Sequence, residues 1–173
     1  MSKKIVLPIL LIILFLFNGS PLVMATENNN YVPKVTIEGD IHYYLDENGQ
    51  VLYAEQYANE KLVKIIEFYA GTFLGQAEKK IRQEFDLDDN GNIQLMKEFD
   101  ENTQSIIKNY EYYPNTKYGS HAKKIKYRFD LNTSGTLAKA VKLEEDSGRI
   151  LSQYEYYPNT KYGSHAKKIK YRF

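Results

Sequence analysis

Three patterns in the chain combine residue types that could do chemistry. The first is Asp86-x-Asp88-x-Asn90-Gly91-x-Ile93. It places oxygen ligands at positions 1, 3 and 5 and glycine at 6, as a calcium loop does. Its twelfth position, where a bidentate acid should close the shell, is Lys97. The next copy of the pattern reads Asp130, Asn132, Ser134, with Val141 in the twelfth place. Without the closing carboxylate the expectation is a polar hairpin turn and no bound metal. The second pattern is Ser120-His121, repeated as Ser164-His165. Neighbours on a strand point to opposite faces, so each pair is expected to be a serine beside a solvated loop histidine. His42 stands in a different context. No catalytic residue and no cofactor are expected.

The third pattern is a 20-residue stretch, Tyr110 to Phe129, repeated letter for letter as Tyr154 to Phe173. Each copy holds five tyrosines and five Lys or Arg against one Glu. Basic and aromatic strands can hold single-stranded nucleic acid. The whole chain, however, balances Lys+Arg 23 against Asp+Glu 22, so nucleic acid is not the expected partner. Tyrosines on a rigid scaffold can also meet a protein or stack on sugar rings. The expected interaction residues are Tyr110, Tyr112, Tyr113, Tyr118, Lys123 and Lys124. Their counterparts Tyr154, Tyr156, Tyr157, Tyr162, Lys167 and Lys168 complete the set.

The elements that position these residues follow from the repeat itself, since self-similarity decides architecture. The offset between the identical stretches is 44, and Phe85-Asp86-Leu87, Gly91 and Ile106 recur at the same offset. A diverged earlier copy aligns through Glu67-Phe68-Tyr69 and Lys79-Lys80-Ile81. Its first part pairs Asn48-Gly49 with Asn90-Gly91 at an offset of 42. The units are 39–80, 81–124 and 125–168, with 169–173 opening a fourth.

Within a unit, Ile125, Tyr127, Phe129 and Leu131 alternate with Lys126, Arg128 and Asp130, a period of two. Leu137 to Leu143 and Ile150 to Tyr157 read as two further strands. Asn48-Gly49 and Asn90-Gly91 are hairpin signals, and Pro114 ends strand pairing near Tyr113. The fold class is therefore all-β: an antiparallel meander of nine or ten strands with three strands per unit. One face is expected to be apolar and tyrosine-rich, the other charged.

The 173-residue chain contains no Cys, which excludes a disulfide framework, a thiolate zinc site and a cysteine nucleophile. Lys3 and Lys4 precede an apolar run from Ile5 to Phe17, and Val23-Met24-Ala25 supplies a small-residue cleavage pattern. The run is shorter than the ~20 residues that span a bilayer. Residues 1–25 are thus expected to be a helical export signal cleaved near Ala25, and 26–38 a polar leader. The repeat domain, 39–173, is expected to be secreted, touching a membrane only through the signal before cleavage.

The Tyr-Tyr-Pro-Asn-Thr step at 112–116, the Phe-Asp-Leu-Asn-Thr-Ser-Gly-Thr-Leu run at 129–137 and the Lys-Lys-Ile-Lys-Tyr strand at 123–127 resemble a family. It is a tandem-repeat domain family of unknown function, found in secreted proteins of phytoplasmas, and the resemblance covers residues 41–173. Lysine outnumbering arginine 19 to 4 fits an AT-rich genome of that kind. The resemblance implies a secreted, host-directed protein and assigns no functional residue. The expectation is a non-enzymatic repeat protein presenting a Tyr/Lys-rich surface to a host or surface macromolecule, with protein ahead of glycan as the partner. The alternative is a glycan-binding or adhesion module.

Overall fold

A computed structural model describes residues 32–77 and 79–173, and the side chains of Lys123 and Lys167 lie outside it. The export signal, its cleavage point and the leader up to Tyr31 also fall outside the described residues. The chain forms one antiparallel sheet of 11 strands in sequence order. These are β1 (Lys34–Glu38), β2 (Ile41–Leu45), β3 (Val51–Ala58), β4 (Lys61–Phe68), β5 (Ile81–Leu87) and β6 (Ile93–Phe99). They continue as β7 (Ile106–Tyr112), β8 (Ile125–Leu131), β9 (Leu137–Leu143), β10 (Ile150–Tyr156) and β11 (Ile169–Arg172). The all-β meander with three strands per unit is what the period-two patterning predicts. The strand count exceeds nine or ten because β1 pairs with β2 before residue 39 and β11 pairs with β10 after residue 168.

The expectation of one apolar and one charged face is not met, and the reason is arithmetic. Residues paired across antiparallel strands share a face. One row runs Tyr43–Ala54–Ile66–Glu84–Lys97–Asn109–Phe129–Ala140–Tyr154. The adjacent row runs Glu55–Ile65–Phe85–Met96–Tyr110–Arg128–Val141 on the other face. An odd number of strands per unit reverses the strand direction from one unit to the next. Equivalent side chains therefore swap faces, and Phe85 and Phe129 end on opposite sides.

The core is accordingly divided into three clusters. Tyr43, Leu45, Val51, Ala54, Ile66 and Phe68 form the first, on one face. Ile65, Phe85, Ile93, Met96 and Tyr112 form the second, on the other, and Phe129, Leu137, Ala140 and Tyr156 return the third to the first face. Between the apolar patches lie ionic islands. Glu84 receives Lys97 at 2.7 Å and Lys64 at 2.8 Å, while Glu98 receives Lys108 at 2.6 Å. Register shifts between Glu67 and Phe68 and between Glu111 and Tyr112 let Ile81 and Ile125 pack on the preceding cluster before each strand serves its own.

Each patch is covered by its own unit's long loop. In the loops after β4, β7 and β10, Thr72, Thr116 and Thr160 are buried, and each hydroxyl donates to the carbonyl three residues earlier. Their own carbonyls accept the amides of Val51, Ile93 and Leu137, which fastens each loop to the start of its unit's second strand. Asn115 and Asn159 adopt φ of 62°, where the first unit has Gly71 at 81°. Asn and Gly are the residues that accept this left-handed conformation at least cost.

Candidate functional site

In the second unit the loop lays Tyr118 and His121 over Phe85. The Phe85–Tyr118 and Phe85–His121 ring centroids are 5.0 and 4.9 Å apart. The Tyr118 hydroxyl donates to Glu67, which also receives Arg82. In the third unit Tyr162 and His165 cover Phe129 at 5.1 and 4.6 Å, and the Tyr162 hydroxyl donates to Glu111 at 2.8 Å. The histidines are thus lid residues packed on aromatic rings, not solvated loop residues. Burial lowers the His121 pKa, with the Glu67 charge opposing. Ser120 donates to the Lys117 carbonyl while the Gly119 amide donates to His121 Nδ1, so serine and histidine do not form a nucleophile–base pair.

The Asp86–Asn90 turn is likewise occupied by its own backbone. Asp88 accepts the amides of Asn90 and Asn92 and the Asn92 side chain. The Asn92 hydrogen bonds hold its carboxyl below the usual range. No cluster of three or more metal-ligating side chains occurs among the described residues.

The two lids differ beneath. In the third unit a cavity of about 250 Å³ opens beside the lid, lined by Glu111, Tyr127, Phe129, Tyr154, Tyr156, His165, Ala166 and Ile169. Two changes in the repeat set this region apart from the second unit. Ala140 lies between Phe129 and Tyr154 in the register, where the second unit sets Met96 between Phe85 and Tyr110. Tyr127 stands where the second unit has Gln83. The side chain on β9 is shorter, and the added ring on β8 lines the cavity. Tyr127 is paired with Glu111 across β7 and β8 and stacks on Phe129 at 5.9 Å.

The polar groups of the site are few. One Glu111 oxygen accepts from Tyr162, and the Tyr127 and Tyr154 hydroxyls hold no hydrogen bond among the described residues. Burial pushes the Tyr156 phenol up to about 12, with Tyr154, Glu111 and Tyr127 adding to the shift. Tyr162 is raised by burial and by its bond to Glu111. At neutral pH these phenols are neutral donors, and Glu111 offers its second oxygen as an acceptor. Rings and hydrogen-bonding groups converge in a space below the ~300–1,000 Å³ of drug-sized ligand sites. That suits a single sugar-sized ring better than a dinucleotide.

Of the residues expected to interact, only Tyr154 and Tyr156 line this cavity. Tyr110 is half-buried, its hydroxyl donating to Glu98 at 2.6 Å. Tyr112 is a core residue, and Tyr113 donates to the Leu143 carbonyl at 2.7 Å. Tyr118 and Tyr162 are lid rings, and Lys124 pairs with Glu145 at 3.0 Å and with Asp146. Tyr157 and Lys168 are exposed, and the side chains of Lys123 and Lys167 lie outside the described residues. Glu111, Tyr127 and Phe129 are missing from the expected set. The signal that could have found them is the departure of Tyr127 and Ala140 from the matching positions Gln83 and Met96.

No family model and no curated protein matches the chain. Solved structures with similar sheets include S. aureus TarM, as a point mutant in complex with fondaparinux, α-GlcNAc-glycerol and UDP. That likeness has 11% identity and a TM-score of 0.48, covering 71% of this chain and 21% of that one. A further TarM structure matches with 12% identity and a TM-score of 0.47, over 71% and 21%. A GtfA/B complex bound to UDP and GlcNAc matches with 11% identity and a TM-score of 0.46, over 79% and 27%. The chain thus spans about a fifth to a quarter of the solved chains it matches. Two expectations from the sequence are corrected here: that the chain is not an enzyme, and that protein stands ahead of glycan as its partner. The similar structures are recorded with UDP, GlcNAc and fondaparinux.

Proposed function

We propose that the repeat sheet is a carbohydrate-binding module and that the third-unit cavity is its sugar site. The observation that carries this is the convergence of the Tyr127, Phe129, Tyr154 and Tyr156 rings on the Glu111 carboxylate in one open cavity. Rings supply flat apolar contact, while the carboxylate and the free hydroxyls fix the orientation of a polyhydroxylated ligand. The apolar run behind Lys3 and Lys4 supports an exported chain, which would meet such polymers outside the cell.

Glycan-array binding followed by titration tests the site. Tyr127→Ala should weaken binding about tenfold, the ~1.4 kcal/mol expected for one lost stacking ring. Ala140→Met, which sets a longer side chain between Phe129 and Tyr154 as Met96 stands between Phe85 and Tyr110, should abolish binding by displacing those rings. Circular dichroism and thermal melting confirm folding of each variant. Unchanged binding by Ala140→Met would remove the cavity from the account.

A further inference from the structure

The identical 20-residue copies carry the same cations, but the sheet neutralises them unequally. In the first copy Lys124 pairs with Glu145 and Asp146, and Arg128 lies 3.2 Å from Asp130. Arg82, which stands where the third unit has Lys126, pairs with Glu67. Among the described residues, Lys126 and the second copy's Lys168, Lys170 and Arg172 have no ion pair. Two of these cations lie against rings that line the cavity. The Lys126 ammonium lies 5.8 Å from the Tyr127 ring centre, and the Arg172 guanidinium lies 5.7 Å from that of Tyr154. Arg172 is the register partner of Tyr154 and shares its face. The site therefore has an aromatic wall, one carboxylate inside, and a rim of unneutralised positive charge.

From this arrangement we infer that the ligand is an acidic polysaccharide, its sugar ring against Tyr127 and Tyr154 and its anionic substituent at the rim beside Arg172 and Lys126. This rests on the carbohydrate reading above and adds the charge of the ligand. Glu111 repels an anionic group from the interior but accepts a sugar hydroxyl, so a neutral ring sits inside and the charge outside. A single-stranded nucleic acid also combines rings with anions, but its phosphates recur at every residue along the strand. The near-balanced charge of the whole chain argues against holding such a strand by bulk electrostatics.

Affinity electrophoresis through gels containing matched polymers tests the inference. Hydroxyethyl cellulose and carboxymethyl cellulose share a backbone and differ in charge, as do dextran and dextran sulfate. Comparing the two acidic members separates carboxylate from sulfate as the anionic group. The wild-type chain should be retained about three- to tenfold more strongly by an acidic polymer than by its neutral partner. Lys126→Gln combined with Arg172→Gln should bring the two to equality, by lowering retention on the acidic polymer.

Equal retention of the wild type on neutral and acidic polymers would overturn the charge assignment and leave the sugar site standing. Retention on neither would overturn the carbohydrate reading itself. Acidic retention that survives in Ala140→Met, with the rings of the cavity displaced, would reveal adhesion by charge alone and overturn the inference. Tighter retention by single-stranded poly(U) than by either acidic polymer would overturn it as well.

Discussion

Phe129 is 2% exposed and Phe173 is 69% exposed, although each closes the same 20-residue stretch. Tyr113 donates to the Leu143 carbonyl, whereas its copy Tyr157 is 53% exposed and has no such acceptor among the described residues. Glu111 holds the lid hydroxyl of Tyr162, whereas its copy Glu155 is exposed. The comparison teaches that the unit of structure here is not the unit of sequence. The stretch 110–129 is completed by elements that follow it in the chain: β9 beside Phe129, the third-unit lid over it, and the Leu143 carbonyl for Tyr113. Repeat proteins behave in this way because a single unit cannot bury its own apolar face. The same twenty residues make core in one place and an exposed, cationic edge in the other.

The largest expected effect breaks the comparison at its apolar centre. Phe129→Ala should destabilise the protein by about 3–5 kcal/mol, the range for truncating a buried aromatic ring. Phe173→Ala should change stability by no more than about 0.5 kcal/mol, as surface substitutions do. Urea denaturation of the two variants measures the difference directly. Equal losses would mean that β11 is covered in solution and that the two copies are equivalent after all. A smaller contrast lies in the hydroxyls. Tyr113→Phe should cost about 1 kcal/mol for its hydrogen bond to a backbone carbonyl, and Tyr157→Phe nothing measurable. A loss at Tyr157 matching that at Tyr113 would again point to a hidden partner.

Much of the fold was legible in the residues, because period-two alternation and Asn-Gly turns are local signals. Ile125 to Leu131 and the turns at Asn48 and Asn90 fall where their patterns put them. The alternation of faces was not legible in any one strand. It follows from counting three strands per unit, and the count had to be joined to the register before Phe85 and Phe129 separated. The candidate site was harder to see for a related reason. Tyrosine-rich copies draw attention to what is repeated, namely Tyr110, Tyr112 and Tyr118, and those rings are consumed in packing and lid bonds. The cavity region is set apart instead by what is not repeated, Ala140 for Met96 and Tyr127 for Gln83. The histidines escape such a reading because their loops fold back over the sheet, a tertiary event without a signature in strand periodicity.

The smallest expected effect sharpens the comparison through the lid of the first copy. His121 is packed against Phe85 and Tyr118, and burial lowers its pKa below the ordinary ~6.5. The unfolded chain therefore binds a proton at higher pH than the folded one does. In the interval below about 6.5, stability should fall as pH falls, and the loss should continue until the folded-state value is passed. The carboxyls held low in the native state act in a separate window. Asp88 and Asp100 lie below their usual range, and the Arg149 hydrogen bond brings Glu144 down to about 2, so their contributions disappear only in stronger acid. His121→Phe keeps a ring on Phe85 and removes the titration. Its melting temperature should decline less than that of the wild type between neutral pH and about 5, while the two curves run parallel in stronger acid, where the carboxylates dominate. Identical slopes across the mildly acid interval would show that the His121 lid opens without cost. The second unit would then hold its apolar patch by strands alone.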